Sequence, residues 1–221
     1  MKAILTLSIL VFSILNTQSQ TTNTWSEIKE SVTNPESKFY YPDLIERYNN
    51  FDSTLTTEDY AHIYLGYVFE DNYIRFRPDE SKMQQLKEDE KYEELVKECK
   101  TILEANPVSL KANDNMGFAL YKLGKEKSEW SKYQNRYRAF RKVIAYSGDG
   151  KSSETAFKVL YVSDEYNVIY SYFEIEEVKE QSLVGTCDYF KVSPSTYFQS
   201  DEMYFDISRK LIRQQEIMNK K

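Results

Sequence analysis

Histidine and cysteine are scarce in this chain: among its 221 residues there is one histidine, His62, and there are two cysteines, Cys99 and Cys187. A single histidine with scattered carboxylates does not form a metal-ligand set. No acidic run alternates at the spacing of a calcium-binding loop either. We therefore expect no metal site and no cofactor.

An excess of positive charge is also missing. Lysine and arginine total 29 against 35 acidic residues, a formal net charge of −6, and the basic residues are interleaved with acidic ones. Phosphate binding depends on clustered Lys and Arg, so nucleic acid is not an expected partner. Gly150-Lys151-Ser152 is similar to the end of a phosphate-binding loop, but the glycine required five residues earlier is Ala145. This substitution removes the backbone cradle for a nucleotide.

Long hydrophobic runs are absent as well. The apolar run at residues 3–15 is too short to span a bilayer comfortably. It follows Lys2, and Thr17-Gln18-Ser19 places small residues at the two positions that a signal peptidase reads. These features predict a signal peptide over residues 1–19 and no membrane span. No cysteine stands at the cleavage point, which argues against a lipid anchor, so we expect an exported protein, periplasmic or extracellular.

Aromatic residues, in contrast, are abundant, with 19 tyrosines and 12 phenylalanines. Tyrosine suits half-buried positions, where the ring packs and the hydroxyl stays in water. We interpret most of these residues as core and boundary residues, with a sugar-stacking or peptide-binding surface as the alternative. The apolar content of 41% and the charged content of 29% are typical of a folded globular chain.

Helical periodicity is clearest in the middle of the chain. In residues 91–105 the apolar positions are three and four apart, and most charged residues fall on the other side of the helix. Asn106-Pro107 ends this helix, because proline disfavours helical geometry in the residue before it. A second helix is predicted up to Gly124 and a third up to Ile144. Residues 71–78 are predicted to be a loop. Shorter helices are predicted at residues 42–50, 57–70 and 79–88.

Part of the helical region is similar to a tetratricopeptide repeat. The pattern of the second repeat helix is matched by four residues: Leu95, Cys99, Ile102 and Pro107. Gly66 and Gly117 occupy equivalent places in two helices, but they are farther apart than the usual repeat length of about 34 residues. Glu129 and Arg136 stand where the repeat expects small apolar residues. We therefore predict one and a half to two degenerate repeats.

The periodicity changes at Ser147-Gly-Asp-Gly150. Beyond this break, residues 181–185 are predicted to be a loop and residues 209–221 a short helix or tail. Four segments are predicted to be strands: residues 155–162, 166–174, 187–192 and 203–208. The predicted fold class is α+β. Helical hairpins of a degenerate tetratricopeptide-like type, residues 20–146, pack against a small antiparallel sheet, residues 147–221, as one compact unit.

The chain contains a series of short sequence motifs in a fixed order. They include Tyr41-Pro42-Asp-Leu44, Leu65-Gly66-Tyr67, Ser147-Gly-Asp-Gly150, Glu154-Thr-Ala-Phe157 and Cys187-Asp188-Tyr189. In these motifs the chain resembles an uncharacterised bacterial domain-of-unknown-function family of exported proteins, family 4919. The resemblance extends from about residue 39 to residue 208. The resemblance implies a secreted protein with a repeat-like helical part. It implies no activity, since none is established for the family.

A cysteine and a histidine can form a nucleophile–base pair. Cys187 with His62, oriented by Asp188 or Asp59, is therefore one catalytic hypothesis. No known protease motif surrounds Cys187, and the alternative is a buried thiol and a histidine bonded to a neighbouring loop. Export also permits a disulfide between Cys99 and Cys187, with two separate buried thiols as the alternative.

Paired carboxylates are a second catalytic hypothesis. Asp164, Glu165 and Asp188 are predicted to lie in or near the sheet and to approach one another, as hydrolases of sugars require. The alternative is that these acids are simply solvated at strand turns.

The interpretation that we favour is non-catalytic. Repeat-like helix pairs stack into a concave surface that binds peptides or partner proteins, and tyrosine supplies a large contact area at low entropy cost. The candidate ligand-binding residues are Tyr64, Tyr67, Tyr73 and Phe76. We expect an exported protein- or peptide-binding or scaffold module of the cell envelope, with a hydrolase that uses the Cys187/His62 or carboxylate site as the alternative.

Overall fold

The computed structural model describes residues 24–75 and 80–219. The predicted signal peptide and Phe76 lie outside the described residues. Within the described part, every helix is either too short or too polar to cross a membrane.

Three short helices begin the fold. They are α1 (Trp25–Thr33), α2 (Tyr41–Asn49) and α3 (Thr57–Gly66). α1 and α3 both start with a capping box, in which Thr24 pairs with Glu27 and Thr56 pairs with Asp59. Each box supplies partners for backbone N–H groups that the first helical turn leaves unbonded. α3 continues into a 3-10 turn, Tyr67–Phe69.

Five further helices complete the helical part. They are α4 (Asp71–Arg75), α5 (Glu80–Glu88), α6 (Tyr92–Ala105), α7 (Leu110–Lys122) and α8 (Lys127–Tyr146). α6, α7 and α8 pack in succession, and Leu95, Cys99 and Ile102 are buried, which confirms the predicted apolar face of α6. The prediction of a loop at residues 71–78 is wrong over residues 71–75, which form α4. Tyr73 is buried there against Tyr67, and this packing favours a helical turn.

A mixed four-stranded sheet and two helices form the C-terminal part. The elements are β1 (Phe157–Lys158), α9 (Val162–Ser171), β2 (Val178–Val184), β3 (Cys187–Val192), β4 (Glu202–Asp206) and α10 (Ser208–Asn219). The strand order is β1-β4-β3-β2. β1 pairs with β4 in parallel and the other neighbours are antiparallel. The α+β class is therefore confirmed, and the prediction of a purely antiparallel sheet is wrong at β1.

The strand predicted at residues 166–174 is wrong, because helix α9 occupies most of it. The buried residues of α9 are Asp164, Glu165, Val168 and Ile169, a spacing that suits one face of a helix. The loop predicted at residues 181–185 is also wrong, since most of it belongs to β2. Its end at Gly185, with a φ of +62°, is the turn into β3.

One hydrophobic cluster joins the helices to the sheet. It contains Tyr64 of α3 and Phe140 of α8 together with Phe157 of β1 and Phe190 of β3. A second cluster lies between α5, α6 and α7, and it includes Cys99. Both cysteines are buried and free, so the alternative of two separate thiols is the correct one.

Candidate functional site

A groove of about 450 Å³ opens in the helical part. We call it the Arg136 groove. Its lining combines aromatic, apolar and charged side chains from α2, the 3-10 turn, α6, α7 and α8. They include Tyr41, Tyr67, Leu103, Met116, Tyr133 and Arg136. Its volume falls within the range of small-ligand and peptide-anchor sites.

The guanidinium of Arg136, a residue that lines this groove, lies between two aromatic rings. Its Cζ atom is 3.7 Å from the ring centroid of Tyr48 on α2 and 3.6 Å from that of Phe51, which follows α2. The side chain is only 6% exposed, and one of its N–H groups donates to the carbonyl oxygen of Tyr48. Stacking on both sides leaves the edge of the guanidinium as the part available for further hydrogen bonds.

Arg136 has no carboxylate partner among the residues that the structure describes. Arg47 shows the usual arrangement for comparison, with Nε 2.8 Å from Asp52 Oδ2 and Nη1 3.9 Å from Asp59 Oδ1. Burial lowers the pKa of the Arg136 guanidinium, and nearby tyrosines oppose this shift. Arginine nevertheless stays charged in proteins. Among the described residues, this buried positive charge is therefore compensated only by aromatic faces and by the Tyr48 carbonyl oxygen.

The loop after α2 holds Phe51 in place. Phe51 has a φ of +55°, a left-handed conformation that costs a non-glycine residue about 1 kcal/mol or more. Asp52 fixes this geometry by accepting hydrogen bonds from the N–H of Thr54 at 2.8 Å and from the Thr54 hydroxyl at 2.6 Å. These bonds, together with Arg47, lower the pKa of Asp52 to about 2. Strain maintained by surrounding contacts in a groove residue is typical of binding sites.

The three tyrosines predicted to bind a ligand lie in two different environments, the core and the Arg136 groove. Tyr64 is buried and donates to Asp164 Oδ2 at 2.6 Å, and Tyr73 is buried and donates to the carbonyl oxygen of Leu160 at 3.1 Å. Tyr67 lines the Arg136 groove. A binding role for these residues stays a prediction, and Tyr67 alone of the three stands at the groove.

His62 and Cys187 contact different neighbours. The His62 ring stacks on Phe39 with centroids 3.7 Å apart, and its Nδ1 lies 2.9 Å from the carbonyl oxygen of Glu58. The Cys187 thiol lies 3.7 Å from the carbonyl oxygen of Ser153. Burial raises the pKa of this thiol, the opposite of what activates a nucleophile. Asp188 follows Cys187 in β3 and so points to the other face of the sheet.

Two of the three predicted carboxylates meet. Glu165 of α9 is fully buried, and the carboxyl group of Asp188 lies beside it. Burial, together with this negative neighbour, raises the pKa of Glu165 to about 9. Burial also raises the pKa of Asp164 to about 7, while its hydrogen bond from Tyr64 opposes the shift. Glu165 is inaccessible to a sugar substrate. We therefore interpret the pair as a structural element.

A larger cleft of about 730 Å³ lies beside the end of α8. Tyr146 and Tyr197 are exposed along it, at 46% and 61%. Its polar groups are mostly engaged within the protein: Asp149 accepts from the Thr155 hydroxyl and Gln199 donates to the carbonyl oxygen of Ser195. In the described residues, no three His, Cys, Asp or Glu side chains are grouped so that they could hold a metal ion.

Sequence reasoning missed Arg136 and Phe51 as site residues. The available signal was the departure of Arg136 from the repeat pattern, where an apolar residue was expected. A sequence profile described as a domain of unknown function, DUF4919, matches residues 26–216. No curated protein and no solved structure matches the chain.

Proposed function

Because the chain belongs to the DUF4919 family, a domain of unknown function, we propose its function from the site: it is a non-catalytic module that binds a peptide segment of a partner protein in the Arg136 groove. The observation that carries this proposal is the groove itself, in which a buried guanidinium lies among aromatic and apolar side chains. Arginine and tyrosine are the residue types that dominate binding energy at protein interfaces.

The arrangement of the helices supports the same function. α6, α7 and α8 pack as successive hairpins, and stacked hairpins of this kind present extended binding surfaces. The predicted signal peptide at residues 1–19 supports a location outside the cytoplasm. The proposed partner is therefore a protein of the cell envelope or of the extracellular medium.

The test is selection of short random peptides on the mature chain, residues 20–221, followed by a groove-filling substitution. Leu103 lines the groove and is half-buried against the second hydrophobic cluster. We expect Leu103→Trp to weaken the binding of selected peptides by at least about tenfold, because the indole occupies the space of a ligand anchor side chain, and loss of one such anchor costs about 1.4 kcal/mol or more. Isothermal calorimetry measures the dissociation constants.

Leu120→Trp is the matched control. Leu120 packs half-buried against the same cluster but does not line the groove. We expect it to retain peptide affinity while it perturbs stability to a similar extent. If no peptide is enriched, or if both variants bind as the unmodified chain does, the proposed function is wrong.

A further inference from the structure

We propose that the Arg136 groove recognises a glutamate side chain of its peptide ligand. This inference rests on the proposed function above. The glutamate carboxylate accepts hydrogen bonds from the edge of the Arg136 guanidinium. The ligand is thus an extended peptide in which one glutamate is flanked by apolar residues.

The first argument is charge. Taking a guanidinium out of water is costly unless an anion compensates it, and the described residues offer Arg136 only aromatic rings and one backbone carbonyl oxygen. A ligand carboxylate completes this arrangement. The planar guanidinium matches a carboxylate through two parallel N–H···O bonds, which are stronger than bonds between neutral groups.

The second argument is access. Arg136 is 6% exposed, and Tyr48 and Phe51 cover its two faces. A carboxylate on a flexible methylene stem suits so enclosed a group better than a peptide backbone does. Tyr133, which packs edge-to-face on Phe51 with centroids 5.3 Å apart, provides apolar surface for that stem.

The other charges of the groove restrict the ligand to one acid. Glu70 and Glu104 line the groove together with Lys100. Apart from Arg136, the described charged lining therefore has two acids and one cation, and like charges brought together at an interface oppose binding of a second ligand carboxylate. A single glutamate among apolar residues therefore fits better than an acidic run.

The experiment uses the peptides selected on the mature chain, embedded during selection so that they carry no free terminus. We expect the enriched peptides to share one glutamate. Synthetic versions then compare glutamate with glutamine at that position, each with a free or an amidated C-terminus. Glutamine should weaken binding by about 30-fold or more, as loss of one partner of a buried charge pair does, whichever terminus is present.

The protein side is tested with Arg136→Met, because methionine keeps a flexible apolar stem of similar length at this position and removes the charge. We expect this variant to bind the glutamate and glutamine peptides equally. Arg138→Met, at an exposed position of the same helix, should keep the 30-fold discrimination. The glutamate-to-glutamine comparison on the unmodified chain remains decisive if Arg136→Met does not fold.

If a folded Arg136→Met variant keeps the discrimination, another residue binds the glutamate and the inference is wrong. Three further results overturn it. A glutamine peptide that binds within twofold of the glutamate peptide does so, and so does dependence on the C-terminal carboxylate alone. In both cases sensitivity to Leu103→Trp still leaves the peptide-binding function standing. Failure to enrich any peptide that depends on the groove overturns the function and the glutamate recognition together.

Discussion

Replacement of Glu165 by glutamine is expected to stabilise the protein at pH 8 by about 3 kcal/mol or more. The Glu165 carboxyl group is fully buried beside Asp188, and its pKa is raised to about 9. The unfolded chain releases this proton near pH 4.3. The folded state therefore holds one more proton than the unfolded state between these values, and stability falls as the pH rises through this window, by about 1.4 kcal/mol per pH unit.

Glutamine removes this dependence because it is neutral at every pH and has nearly the same shape. Urea denaturation of both proteins at pH 5 and pH 8 measures the effect, and the difference should be small at pH 5. Lys210 acts against the raised pKa and Asp164 adds to it. The pKa of Asp164 is itself raised to about 7. Below pH 7, the free energy of unfolding of the variant therefore still falls with rising pH, but less steeply than that of the unmodified chain.

The exposed Glu176 provides the control for this prediction. Glu176→Gln should leave the pH dependence of unfolding as it is in the unmodified chain. If the free energy of unfolding changes with pH equally in Glu165→Gln and in the unmodified chain, Glu165 is already ionised in the folded protein.

Most of the helical part could be predicted because its signals are local. Residues 91–105 repeat at helical spacing, and the Asn106-Pro107 stop follows directly, so no distant contact was needed to assign α6. In α9 the local signal misled. Val168, Tyr170 and Tyr172 alternate as a strand would, and only the tertiary packing of Val168 and Ile169 decides for a helix.

The candidate site could not be predicted in the same way because it joins distant segments. Arg136 donates to the carbonyl oxygen of Tyr48, 88 residues earlier in the chain. Phe51 reaches Arg136 only through a left-handed backbone conformation, which the sequence of the loop does not indicate. The carboxylates were predicted to approach each other, and Glu165 and Asp188 do so, but across α9 and β3 rather than at strand turns.

Gly150, at which the periodicity of the sequence changes, supports the second large prediction. We expect Gly150→Ala to lower the free energy of unfolding by about 2 to 5 kcal/mol. Gly150 has a φ of +67°, and a Cβ there would lie 2.1 Å from the Phe157 ring. The left-handed conformation costs alanine about 1 to 2 kcal/mol, and overpacking of a filled core adds about 1 to 3 kcal/mol.

Neither side of this contact can move easily. Gly150 N–H donates to the carbonyl oxygen of Thr155 at 2.8 Å, and its own carbonyl oxygen accepts from the N–H of Tyr204 at 2.9 Å. The Phe157 ring is 1% exposed and packs against Phe205. Backbone and ring are thus held from both directions, and the added methyl group has to displace one of them.

Gly124→Ala separates the two contributions. Gly124 has nearly the same φ, +69°, but a Cβ there would meet no atom within 4 Å. It should therefore lose only the conformational part, about 1 to 2 kcal/mol. Urea denaturation at one pH measures both variants, and the excess loss for Gly150→Ala reports the clash with Phe157. Equal losses would mean that the loop at Gly150 yields without disturbing the ring, and that this turn does not hold β1 against the core.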